Sequence, residues 1–180
     1  SKHIKKGDRC LLVSENRPEW MISDLSIMLS GGVTVPAYTT YTERDYEYII
    51  NDCTPAIIII SDQIQYEKIK NIIPKKDFIK KIISIENIEN INEELNIKIS
   101  DIFKKDNSNN LNFSDLKIQR KDMACIIYTS GTQGNPKGVM LSHGGILNNC
   151  EGGYGLLKNF ISKRPKFLTW LPLSHSYEHT

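Results

Sequence analysis

The segment Ala-Ile-Ile-Ile-Ile-Ser, residues 56–61, places four consecutive isoleucines in a run that has no polar position before its last residue. A strand with one face in solvent would alternate apolar and polar side chains, because successive side chains point to opposite faces. An unbroken β-branched run is instead typical of a strand covered on both faces, as in a parallel sheet between helices. The segment therefore predicts a buried strand of an α/β protein.

The sequence on either side repeats an apolar run followed by a helical pattern. Further strands are predicted at residues 9–14, Val33–Ala37, 80–85, Met123–Thr129, 139–142 and 167–171. Helices are predicted at residues 19–29 after Pro18, at residues 42–50 with Thr42 and Asp45 as a capping pair, at residues 63–73, and from residue 145 to about residue 151. This alternation predicts an α/β fold with largely parallel sheet layers covered by helices.

Residues 87–112 interrupt the pattern with a stretch rich in Asn, Glu, Lys and Ser. We interpret this stretch as a polar surface insertion, in which residues 95–103 form a strand or one turn of helix. The remaining chain, at 180 residues in total, is long enough for one sizeable core. Residues 1–180 are therefore expected to be part of one domain.

Composition excludes several classes of function. With 23 basic and 21 acidic residues the net charge is only +2, which argues against binding to nucleic acid. The four cysteines form no CxxC pair, so buried free thiols in a reducing, intracellular compartment are expected. The longest apolar run is far shorter than the ~20 residues of a membrane helix. A cytoplasmic location, or a peripheral one on an intracellular membrane, is expected.

The segment YTSGTQGNPKG, residues 128–138, follows an apolar strand and combines glycines, hydroxyls and a lysine. Glycines let the backbone approach a ligand closely, and successive N–H groups form a concavity that binds anions. Lys137 lies between Pro136 and Gly138, so the segment is neither a Walker loop nor a dinucleotide fingerprint. The composition favours binding of nucleotide phosphates, and a polar hairpin between two strands is the alternative.

The longer string YTSGTQGNPKGVMLSHGGIL, residues 128–147, resembles the signature loop of the adenylate-forming enzymes, which include acyl- and aryl-CoA synthetases, luciferases and peptide-synthetase adenylation domains. Residues 170–175, WLPLSH, resemble the next motif of that family. Three earlier segments resemble the long-chain fatty acyl-CoA synthetase branch: KGDR (6–9), SENRPEW (14–20) and GGVTVPA (31–37). The resemblance covers most of the chain outside residues 87–112.

This resemblance implies a fatty acid–CoA ligase that uses ATP, Mg²⁺ and CoA. The fatty acid would form acyl-AMP with release of pyrophosphate, and CoA would then displace AMP. Lys137 and His175 are the implied catalytic residues, and His175 would line the pocket for the acyl adenylate. The implied phosphate-binding residues are Thr129, Ser130, Gly131, Thr132, Gly134, Lys137 and Gly138.

The resemblance also implies that the chain is a piece of the large N-terminal domain of such an enzyme, truncated at both ends. Thr180 precedes the family's adenine, ribose and metal-binding motifs and its small C-terminal domain. No metal site is therefore expected within these residues, and the chain alone is expected to be inactive. His179 stands where the long-chain branch often has arginine, which weakens the branch assignment. Membrane association of the whole protein has no visible determinant here.

Three alternatives remain open from the sequence. The protein could be another acyl- or aryl-CoA ligase of the same superfamily, or a nucleotide-binding module without catalytic activity. The pattern His175-Ser-Tyr-Glu-His179 also matches H-x-x-E-H, in which two histidines on one helix face bind zinc in hydrolases. Pro172 before this pattern favours a loop over a helix, and the sequence leaves no room for a third ligand after it.

Overall fold

In the computed structural model, the described residues are 4–104, 117–129, 136–160, 166, 168 and 170–175. They form seven strands: β1 (Arg9–Val13), β2 (Val33–Ala37), β3 (Ile57–Ile60), β4 (Lys81–Ser84), β5 (Asn96–Lys98), β6 (Met123–Thr129) and β7 (Lys137–Ser142). The α-helices are α1 (Pro18–Leu29), α2 (Glu43–Cys53), α3 (Gln63–Ile69), α4 (Ile99–Lys104) and α5 (His143–Leu157), and a 3₁₀ helix spans Ile73–Lys75.

The strands form one sheet in the order β5-β4-β3-β1-β2-β6-β7. Strands β1 to β6 pair in parallel, and β7 pairs antiparallel with β6 at one end of the sheet. The α/β fold with a largely parallel sheet is thus confirmed.

The buried strands divide their side chains between two apolar clusters, one on each face of the sheet. Ile58 and Ile60 of β3 join the cluster that contains residues of α2 and α3. Ile57 and Ile59 join the opposite cluster, which contains Trp20 and Ile27 of α1. The four isoleucines are thus buried on both faces, which confirms the interpretation of residues 56–61.

The order of connections creates a crevice beside β1. The chain crosses from β1 to β2 through α1 and then returns to the other side of β1 as β3, through α2 on the opposite face. In open α/β sheets, ligands bind outside the carboxyl ends of the strands where the strand order reverses in this way. The carboxyl edge of β1 and its neighbours is therefore the first place to look for a site.

Three helices differ in extent from the prediction, and the first is α2, which continues to Cys53 beyond residue 50. Helix α3 ends at Ile69 instead of residue 73, and Pro74 lies in the first turn of the separate 3₁₀ helix. That position suits proline, because the N–H it lacks has no partner there. Helix α5 continues to Leu157 through three glycines instead of ending near residue 151. Glycine lowers helix propensity by about 1 kcal/mol per residue but does not exclude helical geometry.

Other predictions are corrected or lie outside the described residues. The described residues of segment 167–171, which are Leu168, Trp170 and Leu171, belong to no strand, while residues 167 and 169 lie outside the description. Cys10, Cys53 and Cys125 are buried, whereas Cys150 is exposed, contrary to expectation.

Residues 95–103 contribute both a strand and a helix. Strand β5 pairs in parallel with β4, and α4 follows it directly. Residues 105–112 lie outside the described part, so the bounds of the polar insertion stay a prediction. Among the helices described here, none combines the length and apolar character needed to cross a membrane.

Candidate functional site at the carboxyl edge

Three parallel strands end side by side at the carboxyl edge of the sheet. Cys10 of β1 is level with Thr34 of β2, and Thr34 is level with Cys125 of β6. Adding four residues to each strand carries this register to the ends of the strands. The positions that come level there are Ser14, Tyr38 and Thr129. Because neighbouring strands lie ~5 Å apart, the ends of β1 and β6 are separated by about 10 Å.

Thr129 and Lys137 are direct partners across the β6–β7 hairpin. Both are exposed at the carboxyl edge, and the glycine-rich loop connects them. The predicted phosphate-binding residues Ser130, Gly131, Thr132 and Gly134 lie outside the described residues. The hairpin considered as the alternative is present, and its position at the carboxyl edge is also the position that phosphate binding requires. Phosphate contacts therefore stay a prediction.

Tyr128 anchors the hairpin to the layer of helices. Its side chain is buried, and its hydroxyl donates to Oδ2 of Asp52 in α2 at 2.5 Å. The hydroxyl of Tyr41 donates to the carbonyl of Tyr128 at 3.5 Å. Burial, and then the hydrogen bond to Asp52, raise the pKa of the Tyr128 phenol well above its ordinary value. Tyr128 therefore stays protonated and holds the strand next to the loop.

Gly138 lies directly across from Tyr128 in the hairpin. A Cβ atom at Gly138 would come within 2.8 Å of Cγ2 of Ile126 and 3.3 Å of the Tyr128 ring. The missing side chain is thus explained by packing of the aromatic ring over the glycine. The sequence assigned Gly138 to phosphate binding, and the structure adds a packing reason that the sequence pattern did not reveal.

A pocket of about 280 Å³ opens next to the ends of β1 and β2. One side is formed by the residues that follow these strands, and the other by the segment at residues 170–174. Its lining residues are Ser14, Glu15, Asn16, Tyr38, Thr39, Thr40, Trp170, Pro172 and Ser174. The pocket is therefore built from residues 14–16 and 170–174, two parts of the chain that resemble family motifs and are far apart in sequence, together with residues 38–40.

Asn16 links these two parts. Its Nδ2 donates to the carbonyl of Leu171 at 2.9 Å, and its Oδ1 accepts from the N–H of Leu173 at 2.7 Å. The sequence analysis contains Asn16 only as part of the SENRPEW segment, and this contact was not predicted. The available signal was the SENRPEW segment at residues 14–20, whose resemblance pointed to the family and not to a partner in space.

His175 lies at the end of the segment that Asn16 holds. Its backbone N–H donates to the carbonyl of Pro172 at 2.8 Å, so a turn precedes the side chain. Ser174 is buried, and His175 is half-buried. His175 directly follows Ser174, which lines the pocket next to the ends of β1 and β2, and Lys137 pairs with Thr129 at the end of β6. That the two predicted catalytic residues act in one site stays a prediction.

The loops around the pocket are fixed by polar contacts with α3. Nζ of Lys68 donates to the carbonyl of Thr39 at 2.5 Å. Nε2 of Gln65 donates to Oε1 of Glu15 at 3.3 Å, and Gln65 itself is buried. These contacts connect the loops after β1 and β2 to one helix, and they hold in place two of the residues that line the pocket, Glu15 and Thr39.

The described residues hold no cluster of three His, Cys, Asp or Glu side chains arranged to bind a metal. Of the pattern considered for zinc, only His175 is described, whereas Glu178 and His179 lie outside the description. Leu173 and Ser174 lie in a turn and His175 in a bend, so none of the described residues at this point is helical, and the rest of the pattern stays untested.

The fold is that of an α/β domain with a hairpin and a pocket at the carboxyl edge of its sheet, and comparison with known proteins specifies the family. The model of the AMP-binding enzyme family matches residues 1–180. The chain belongs to the AMP-binding enzyme family. This family membership confirms the resemblance to adenylate-forming enzymes.

Curated relatives are long-chain acyl-CoA synthetases. Fatty acyl-CoA synthetase A of Dictyostelium discoideum is 30% identical over 97% of this chain and 26% of its own length. Long chain acyl-CoA synthetase 3 of Arabidopsis thaliana is 29% identical over 97% of this chain and 28% of its own length. The chain thus spans about a quarter of the length of these relatives.

Solved structures share the fold at lower identity. A long-chain-fatty-acid-CoA ligase from Archaeoglobus fulgidus superposes with a TM-score of 0.77 at 21% identity, over 99% of this chain and 33% of that protein. A red-emitting luciferase from Phrixothrix hirtus gives a TM-score of 0.69 at 20% identity, over 94% of this chain and 33% of that protein. These similarities support the fold and, at such identities, the fold alone.

Proposed function

We propose that the protein containing this chain is a long-chain fatty acid–CoA ligase that forms AMP. The proposal is supported by membership in the AMP-binding enzyme family and by curated relatives that carry the name of this activity. The observation that carries it is the pairing of Thr129 with Lys137 at the end of β6, together with a pocket next to the ends of β1 and β2 that is lined by Ser174, the residue before His175.

The proposed reaction has two steps. A carboxylate oxygen of the fatty acid attacks the α-phosphorus of ATP, the bond to the β-phosphate oxygen breaks, and pyrophosphate leaves. The sulfur of CoA then attacks the acyl carbon, the acyl C–O bond breaks, and AMP leaves. Negative charge on the departing pyrophosphate must be stabilised in the first step, and preorganised donors supply that stabilisation.

The hairpin would supply these donors. Lys137 contributes an exposed cation beside the loop, and Thr129 contributes a hydroxyl next to it. Ser130, Gly131, Thr132 and Gly134 would add hydroxyl and backbone N–H groups, which suit phosphate oxygens. Mg²⁺ would arrive bound to ATP and neutralise part of the phosphate charge, and we assign it no ligand among the described residues.

His175 would act on the acyl side. It is half-buried and directly follows Ser174, which lines the pocket, and the end of β1 next to that pocket is about 10 Å from the end of β6 by strand spacing. A fatty acid carboxylate held between the pocket and the phosphates would fit that separation. We assign His175 to orientation of the carboxylate and of the acyl adenylate formed from it.

Exchange of labelled pyrophosphate into ATP tests the adenylation step, because that step is reversible. We expect exchange that depends on a long-chain fatty acid in the whole protein. Lys137→Ala should slow it about ten- to a hundredfold, the effect of losing one charge-assisted hydrogen bond. Lys75→Ala, which removes an exposed cation from the 3₁₀ helix, is the matched control and should leave exchange unchanged.

His175→Ala should have a different kinetic signature. We expect a higher KM for the fatty acid and a smaller effect on the KM for ATP, since His175 directly follows Ser174, which lines the pocket. Steady-state kinetics with each substrate varied in turn measures this difference. An unchanged rate in Lys137→Ala together with loss of a bound zinc ion in His175→Ala would favour the hydrolase alternative.

A further inference from the structure

The amide of Asn16 takes the place of a neighbouring strand for the segment around Pro172. Its two hydrogen bonds reach residues 155 and 157 positions away, the carbonyl of Leu171 and the N–H of Leu173. A residue in a parallel ladder bonds in the same way to the two residues that flank its partner. Both backbone groups next to Pro172, which has no N–H of its own, are thereby satisfied by one side chain.

This contact fixes the backbone of the residues just before His175. The carbonyl of Pro172, between the two bonded residues, accepts from the N–H of His175. Ser174 in the same turn is buried. The position of His175 relative to the end of β1 therefore depends on Asn16, which follows β1 by three residues. Trp170 and Pro172, on the opposite wall of the pocket, are held by the same contact.

We propose that Asn16 is a positioning residue for the acid substrate: it fixes the wall of the pocket and thereby the place of His175. The proposal rests on the proposed function for its kinetic consequence, whereas the contact itself is independent of that function. Asn16 also lines the pocket, but its amide oxygen and nitrogen both bond to the backbone of the opposite wall. Its effect should thus fall on use of the fatty acid and not on binding of ATP.

Two substitutions and one control separate the contributions. Asn16→Ala removes both hydrogen bonds. Asn16→Asp keeps an acceptor for the N–H of Leu173 but has no proton for the carbonyl of Leu171. Its kcat/KM for the fatty acid should therefore lie between those of the wild type and Asn16→Ala. Asn51→Ala is the matched control, because Asn51 is exposed in α2 and its side chain bonds to Lys76 on the surface.

Hydrogen exchange of the Leu173 amide in the whole protein measures the contact directly. We expect protection in the wild type, in Asn16→Asp and in Asn51→Ala, and faster exchange in Asn16→Ala. We also expect kcat/KM for a long-chain fatty acid to fall about ten- to a hundredfold in Asn16→Ala, as misplacement by ~1 Å can do, with less than about a threefold change in the KM for ATP.

Unchanged protection of Leu173 in Asn16→Ala would overturn the contact. Faster exchange with unchanged use of the fatty acid, or with equal losses for both substrates, would overturn the positioning role. If Asn16→Ala fails to fold, the kinetics of Asn16→Asp decide between the same outcomes. A wild-type protein that shows no pyrophosphate exchange dependent on fatty acid would overturn the proposed function. Hydrogen exchange of the Leu173 amide would still test the contact with Asn16.

Discussion

At the scale of single residues, Gly138 in the β6–β7 hairpin is explained by packing as well as by a predicted role in phosphate binding. Gly138 belongs to the string that resembles a phosphate-binding loop, yet its Cα lies beneath the ring of Tyr128. Tyr128 in turn is tied to Asp52 of α2. The glycine therefore has a structural reason to be present that does not involve a ligand, and stability can be separated from catalysis at this position.

Gly138→Ala should destabilise the protein by about 1–3 kcal/mol, because the new methyl group would contact Ile126 and Tyr128 too closely. Gly152→Ala is the matched control. A Cβ at Gly152 meets nothing within 4 Å, and the residue lies inside α5, so alanine should stabilise it by up to about 1 kcal/mol. Urea unfolding measures both, and equal stability of the two variants would contradict the packing argument.

At the scale of elements, helix α2 begins with a complete capping box. The hydroxyl of Thr42 donates to Oδ2 of Asp45 at 2.7 Å, the N–H of Thr42 donates to the same oxygen at 2.9 Å, and the N–H of Asp45 donates back to the Thr42 hydroxyl. Thr42→Ala should therefore lower the free energy of unfolding by about 1 kcal/mol. Thr40 is exposed, two residues earlier and outside the capping box, so Thr40→Ala should change the free energy of unfolding by less than ~0.5 kcal/mol. A similar loss of stability in the two variants would contradict the role of the cap.

The same cap makes a prediction about pH. Hydrogen bonds from the side chain and backbone of Thr42 hold the pKa of Asp45 below its ordinary value of 3.8. A carboxylate with a depressed pKa in the folded state contributes stability that is present above pH 3.8 and is lost as the pH falls through the folded pKa. Asp45→Asn, which does not titrate, should show a shallower loss of stability below pH 3.8, and an unchanged slope would contradict this.

Elements with strong local patterns were predictable from sequence, and contacts over long sequence distances were not. Strand β3 was predicted because a run of four β-branched residues is typical of a strand buried on both faces. Helix α2 was predicted because its capping pair, Thr42 and Asp45, lies within four residues of the sequence. The contact of Asn16 with Leu171 and Leu173 has no local signature. The end of α5 was missed because the preference of glycine against helices is weak enough for neighbouring residues to override.

At the scale of the whole molecule, the sheet is the frame on which the site is placed. Its central strands are covered on both faces, and their carboxyl ends carry the loop and the pocket. The fold class followed from the sequence pattern, whereas the position of the β6–β7 hairpin at one end of the sheet is a finding of the structure. The pocket required the structure, because its two walls come from residues 14–40 and 170–174.

Loss of packing in the centre of the sheet should be severe. Ile58 of β3 is fully buried, so Ile58→Ala should destabilise the protein by about 2–5 kcal/mol through lost burial and a residual cavity. Ile64 in α3 is 69% exposed, and Ile64→Ala should change stability by less than ~0.5 kcal/mol. Chemical unfolding of the two variants compares them, and a small effect at Ile58 would contradict burial of β3 on the face that packs against α2 and α3.

The central claim is that the protein activates a fatty acid by joining its carboxylate to AMP, and transfer of an isotope tests it most directly. The whole protein is incubated with ATP, CoA and a long-chain fatty acid labelled with ¹⁸O in its carboxylate, and the nucleotide products are weighed by mass spectrometry. The account predicts acyl-CoA together with AMP that carries one ¹⁸O atom, because the acyl C–O bond breaks on attack by CoA. Unlabelled AMP, or ADP in its place, would contradict the account.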